Sequence, residues 1–190
     1  MNKQTLSRAW HTLRLHMILD SEKRADYIRK HNVFRSMGTG CSVVSKKVPL
    51  CPRLISVGNN VHLAAGVLLS PHDAIHLCLN RADSTGDFKY REKIGCIEIG
   101  DNVFVGANSI ILYDVKIGSN VIIGAGSLVN KDIPDNSVAA GTPAKVIGTF
   151  DDFVAKRRAM QMYPDAMTPR GHAITAELEE WCWNDFKSRR

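Results

Sequence analysis

Between residues 99 and 134 an aliphatic side chain returns at every sixth position: Ile99, Val105, Ile111, Ile117, Ile123 and Val129. Glycine follows four of the six, at Gly100, Gly106, Gly118 and Gly124. Four places after each anchor stands a small or β-branched residue: Val103, Ser109, Val115, Val121, Ser127 and Ile133. Helices repeat at 3.6 residues and strands at two, so neither produces a strict period of six.

A coil with three short strands and three tight corners per turn does produce it. Each aliphatic anchor then points into a narrow triangular core, as interior side chains do in β-solenoids. The residue after the anchor begins the outer, turn-facing part of the hexad. There glycine avoids a steric penalty, and asparagine or aspartate tolerates left-handed backbone. The six hexads make two coils of eighteen residues, stacked at a strand spacing of about 4.8 Å. The fold class expected is an all-β core, a left-handed parallel β-helix, with an extruded loop and helical segments at both ends.

Three regions follow, 1–36, 37–148 and 149–190. Within 3–32, Leu6, Trp10, Leu13 and Met17 share one helical face, and a second helical stretch starts at Ser21. Such a segment would cover one end of the coil and hide its strand edges from other chains. Gly38, Gly40, Val43, Val44 and Val48 begin an irregular first coil, interrupted by Pro49 and Pro52. The period locks in at Val57, Leu63 and Leu69 and is lost over 75–96, which contains Asn80, Asp83, Ser84, Gly86 and a charged run from Lys89 to Lys93. That segment reads as a loop extruded from a corner, and long loops in compact domains are often functional. After the coils, AAGTPAKVIG at 139–148 makes a turn, and helices are expected over 150–162 and 174–187.

Composition narrows the setting. Five cysteines, at 41, 51, 78, 96 and 182, form no C-x-x-C pair, which suits reduced thiols in a cytoplasmic protein. The opening residues form neither a signal peptide nor a membrane span. A formal net charge of +6 favours an anionic partner, such as a nucleotide cofactor or an acidic glycan. Nucleic acid is disfavoured, because the basic residues are scattered and accompanied by neither an aromatic platform nor a recognition helix.

Of seven histidines, His62, His72 and His76 lie in the coil region or its loop. His72, in LLSPHDAIH, stands at a corner where the repeat gives way to the loop. A partly exposed imidazole there suits a general base. His76 is read as serving the loop.

The repeat, followed by GAGSLVNKDIPDNSVAAGTPAKVIG at 124–148, closely resembles the hexapeptide-repeat acyltransferases, in the branch of galactoside, maltose and xenobiotic O-acetyltransferases. SPHDAIHLCLN at 70–80 is most similar to acetyltransferases of surface-polysaccharide clusters. The resemblance implies a homotrimer with acetyl-CoA in the groove between neighbouring β-helices and no required metal. It implies His72 as catalytic base, with Asp73 and Phe104 on the substrate side. Ala107, Gly124, Ala125, Asn130 and Lys145 match the family's cofactor-side positions, Lys145 as a contact to phosphate. Phe104 stands where galactoside and maltose enzymes commonly carry tryptophan, and the polar acceptor-side residues of galactoside enzymes have no clear match near 41–52.

The expected activity is acetyl-CoA-dependent O-acetylation of a sugar hydroxyl, in a bacterial capsule, lipopolysaccharide or related glycan. Direct transfer is expected, because neither cysteine nor serine accompanies His72 in a nucleophile motif. Alternatives are N-acetylation of an amino sugar, a γ-type carbonic anhydrase and a non-catalytic trimeric scaffold. The carbonic anhydrase needs three converging histidines, yet the coils after residue 76 contain none.

Overall fold

The computed structural model describes residues 3–160, 162–169 and 173–190. Two compact units emerge, Met1–Phe153 and Val154–Arg190. The first begins with helices α1 (Lys3–Met17) and α2 (Ser21–Lys30) and then winds through three sheets. Sheet A is β1 (Ser36–Met37), β3 (Ile55–Val57), β6 (Ile97–Ile99) and β9 (Val115–Ile117), all parallel. Sheet B stacks β2 (Ser42–Val43), β4 (Val61–Leu63), β7 (Val103–Val105), β10 (Val121–Ile123) and β12 (Ser137–Gly141) in parallel, and antiparallel β13 (Ala144–Thr149) closes its edge. Sheet C is β5 (Leu68–Ser70), β8 (Ile110–Leu112) and β11 (Leu128–Val129).

The chain visits A, B and C in rotation, which makes a three-sided parallel coil. Ile97 faces Val115, Val103 faces Val121 and Ile110 faces Leu128, so one turn takes eighteen residues. One turn earlier the partners are forty-two apart, Ile55 with Ile97 and Leu68 with Ile110. The insertion therefore leaves the register intact.

The six anchors are all buried, and so are the residues four places after them. Each hexad thus gives the core two side chains. Burying one Val or Ile side chain is worth about 1.5–3 kcal/mol, so the ladder is the main source of stability. The hexad's outer part separates into two positions with different demands. Asn60, Asn102, Asn108, Asp114 and Asn120, three places after their anchors, have positive φ, as do Gly66 and Gly126 at the same position and Asn136 three places after Ile133. The glycines directly after the anchors answer to space instead: a Cβ on Gly100 would lie 2.8 Å from the Gly118 carbonyl carbon in the next turn.

The outward residue just before each anchor differs by sheet. Sheet A carries Glu98 and Lys116, which pair at 3.0 Å, whereas sheet B carries Phe104 and Ile122, and sheet C Ile110 and Leu128. Sheet C extends its apolar face through Leu68 and Leu112.

The inserted segment is not loop throughout. It enters and leaves through a short neck, where His72 and Ile94 form an antiparallel bridge, Asp73 N donates to Lys93 O at 3.0 Å and Gly95 N to Pro71 O at 2.9 Å. Beyond the neck, Ile75–Ala82 forms helix α3, which the broken hexad pattern conceals.

The N-terminal helices correct a second expectation. Leu6, Trp10, Leu13 and Met17 are 51–66% exposed, so the apolar stripe of α1 faces away from the coil. Leu15 is the buried residue of α1, and Thr12 Oγ1 accepts from Val48 N at 3.3 Å. The helix docks through the opposite face because α2 supplies the closer packing: Ala25 and Ile28 join the core, and buried Arg24 donates through Nε to Val43 O at 2.7 Å. Past the coil, α4 (Phe150–Ala159) spans the boundary between the units, and Gln161, within the expected helix, lies outside the described residues. In the second unit α5 (Ala176–Ser188) is capped by Thr175, whose hydroxyl accepts from Leu178 N at 3.2 Å.

Candidate active site

Six of the eight expected site residues lie at two corners of the coil, on either side of sheet C, while Phe104 lies on sheet B and Lys145 on the terminal hairpin. The B-to-C corner carries Ala107, Gly124 and Ala125. Gly126 N donates to Ala107 O at 2.8 Å, which stacks the two turns directly. Two buried serines support this corner from inside: Ser109 Oγ and Ser127 Oγ donate to Gly124 O at 3.0 and 2.6 Å. Lys145 approaches the same side through the terminal hairpin. It pairs in register with Ala140, whose Cβ would be 2.9 Å from a Cβ on Gly124. Its side chain is exposed. The corner thus presents small side chains, with the exposed Lys145 ammonium on the neighbouring hairpin.

Phe104 lies on the outer face of sheet B, 46% exposed, between His62 and Ile122 in adjacent strands. His62 is already engaged there, with Ser42 Oγ 2.8 Å from Nδ1 and Asn60 Oδ1 3.0 Å from Nε2.

The C-to-A corner carries His72 and Asp73 at the neck of the insertion, and Asn130 two turns further on. His72 Nδ1 is shut off from solvent without an aligned hydrogen bond, yet Glu92 Oε1 lies 2.9 Å from it. The two atoms are within ion-pair reach but off the line of an N–H donor, so the contact is electrostatic. With the His72 side chain 19% exposed and Nδ1 sealed, the accessible part of the ring lies away from Nδ1.

Asp73 carries two hydrogen bonds within the neck and its neighbouring turn. Oδ1 accepts from Ile75 N at 3.1 Å and Oδ2 from the Tyr113 hydroxyl at 2.7 Å. The Tyr113 hydrogen bond holds the Asp73 carboxyl below the usual aspartate range, and the same bond raises the Tyr113 hydroxyl. Lys93 pairs with Asp114 and lies 5.6 Å from the Tyr113 ring centroid; Asp114 holds its ammonium above the ordinary lysine value. Glu92, Lys93 and Tyr113 thus belong to the surroundings of His72 and escaped the sequence reading. Glu92 lay inside a charged run, whereas Tyr113 did leave a signal, as an aromatic at a corner where other hexads place small or polar residues.

Residues 96–131 match the family model described as bacterial transferase hexapeptide (six repeats). Protein CapG of Staphylococcus aureus is 41% identical over 140 residues, 69% of this chain and 74% of CapG. The chain belongs to the hexapeptide-repeat acyltransferases. Among solved structures, this acyltransferase resembles a galactoside acetyltransferase in complex with coenzyme A, with TM-score 0.55 and 27% identity over 87% of this chain and 89% of that one. It also resembles a maltose O-acetyltransferase from Clostridium difficile 630, with TM-score 0.52 and 26% identity over 78% and 89% of the two chains.

Proposed function

We propose that this acyltransferase uses acetyl-CoA to acetylate a sugar hydroxyl directly, in a surface glycan or its precursor, with His72 as general base. The observation that carries the reading is a histidine with one sealed and one accessible side, at the neck of the inserted loop. The likeness to galactoside and maltose acetyltransferases favours a sugar acceptor. On this reading the coil is left-handed.

The residues present suit coenzyme A as the donor. Ala107, Gly124 and Ala125 put no bulky side chain along their corner, and exposed Lys145 offers an ammonium to phosphate. Phe104 supplies an aromatic wall on the substrate side. His72 and that corner lie on either side of sheet C, and on this reading a donor held at the corner of one copy meets His72 of another. The homotrimer is therefore part of the proposal. The aliphatic outer face of sheet C and the outward stripe of α1 support it, since exposed apolar patches of this kind mark interaction surfaces.

In the transfer, the acceptor oxygen attacks the thioester carbonyl while His72 takes its proton. Backbone N–H groups at a corner would stabilise the oxyanion. Collapse breaks the C–S bond, and protonated His72 returns the proton to the departing thiolate. The products are the acetyl ester and free CoA.

The test is His72→Ala, assayed with acetyl-CoA against a panel of sugars and amino sugars. Loss of transfer with assembly and CoA binding retained supports the reading. Equal activity in the variant overturns the role of His72, and turnover restricted to amino sugars would overturn O-transfer.

A further inference from the structure

The insertion between β5 and β6 brings one carboxylate back to the histidine at its own neck. We infer that Glu92 is a positioning residue for His72, fixing the imidazole with its proton on Nδ1 so that the Nε2 lone pair faces the acceptor hydroxyl. Its catalytic consequence rests on the function proposed above, whereas the tautomer it imposes does not.

Three observations lead there. First, His72 Nδ1 is buried and lacks an aligned hydrogen bond, while Glu92 Oε1 is 2.9 Å away. A buried ring nitrogen without a partner is costly, and a carboxylate at that distance favours the tautomer that presents a proton to it. A small rotation of either side chain would align the bond.

Second, the neighbouring charges are otherwise committed. Asp73 is held by Tyr113 and the Ile75 amide, and Lys93 by Asp114. His76 also has a buried Nδ1 without an aligned partner, but as another imidazole it cannot offer the full negative charge that Glu92 does. Glu92 is thus the carboxylate available to the ring.

Third, the contact depends on the closed neck. Lys93, the next residue, accepts from Asp73 N through its backbone carbonyl and pairs with Asp114 in the following turn through its ammonium. This clamp holds Glu92 opposite the ring across twenty residues of chain. Placement of this kind supplies the fixed orientation that a general base requires.

The experiment is long-range proton–nitrogen NMR on the full chain with nitrogen-15 histidine, the His72 signals being assigned by their loss in His72→Gln. The expected wild-type signature is the neutral Nδ1–H form. Glu92→Ala should move it toward the Nε2–H form that an unconstrained imidazole prefers, and Glu92→Asp should restore it in part. In steady-state assays with acetyl-CoA and the best acceptor of the sugar panel, Glu92→Ala should lower kcat by about tenfold or more, a fraction of the 10²–10⁴ that general-base catalysis supplies. The KM for acetyl-CoA should stay unchanged. An Nε2–H form in the wild type, or the same tautomer in wild type and Glu92→Ala, overturns the inference. If His72→Ala retains transfer while the Glu92 variants shift the tautomer, the catalytic reading fails and the positioning contact stands.

Discussion

The Tyr113 hydroxyl donates to Asp73 Oδ2 at 2.7 Å, joining the neck of the insertion to the corner one turn later. Because this bond crosses forty residues of chain, is only partly buried and lies outside the core of the coil, Tyr113→Phe should loosen the insertion without unfolding the coil. Limited proteolysis within 75–96 should accelerate severalfold while the thermal midpoint hardly moves, as expected of a local opening. The same latch is acid-sensitive. The folded-state pKa of Asp73 is depressed, first by Tyr113, so its contribution is complete above the unfolded value of about 4 and disappears as the pH falls through the folded one. Equal cleavage rates in wild type and variant would show that the backbone bridge alone closes the neck.

The two kinds of corner glycine should respond differently to substitution. A Cβ on Gly118 would lie 2.6 Å from the Asp135 amide nitrogen, so Gly118→Ala must push apart two turns of backbone. Overpacking of this kind typically costs about 1–3 kcal/mol. Gly126 has φ +70° with nothing near its missing Cβ, and the corresponding position of five other hexads is Asn or Asp, at Asn60, Asn102, Asn108, Asp114 and Asn120. Gly126→Asn should therefore be close to neutral. Denaturant unfolding of both variants checks the contrast, and equal costs would refute the division between close approach and left-handed backbone.

How much the sequence disclosed follows from the range of each interaction. The coil was legible because every hexad repeats the same local demand, and its anchors at Ile99, Val105, Ile111, Ile117, Ile123 and Val129 are all buried. The position of His72 beside the insertion followed from where that repeat stops. Its surroundings did not, because Glu92 returns from twenty residues away through a segment without periodicity. Helix α1 misled for a related reason: its apolar stripe is real, but periodicity gives a face and not the partner that covers it. Leu15, outside that stripe, is the residue that enters the core.

The outer face of sheet C offers a direct test of assembly. Ile110 holds the position just before an anchor, the position that Glu98 and Lys116 occupy on sheet A. A charge is thus compatible with the coil there, and Ile110→Glu should fold with unchanged circular dichroism. If sheet C is covered by another copy, burying the carboxylate unpaired is costly, and light scattering should report a smaller species than wild type. An unchanged mass would place the interface elsewhere.

The contact between the two N-terminal helices should weaken in mild acid. His11 Nδ1 lies 2.9 Å from the Tyr27 hydroxyl, its ring centroid 6.2 Å from that of His31, and the Tyr27 and His31 rings are 4.3 Å apart. Burial in this cluster, and secondarily the nearby His31 charge, lower the His11 pKa from its ordinary value. The unfolded chain therefore takes up the proton first as the pH falls. The stabilising contribution is complete above the unfolded value of about 6.5 and is lost as the pH drops through the folded one. His11→Gln removes the titrating ring but keeps a polar side chain that can meet the Tyr27 hydroxyl. Between pH 7.5 and about 5, the wild-type thermal midpoint should fall more steeply than that of the variant, so the gap between the curves changes across the range. Parallel curves would mean that His11 titrates alike in the folded and unfolded chains and that its ring contacts are indifferent to its charge.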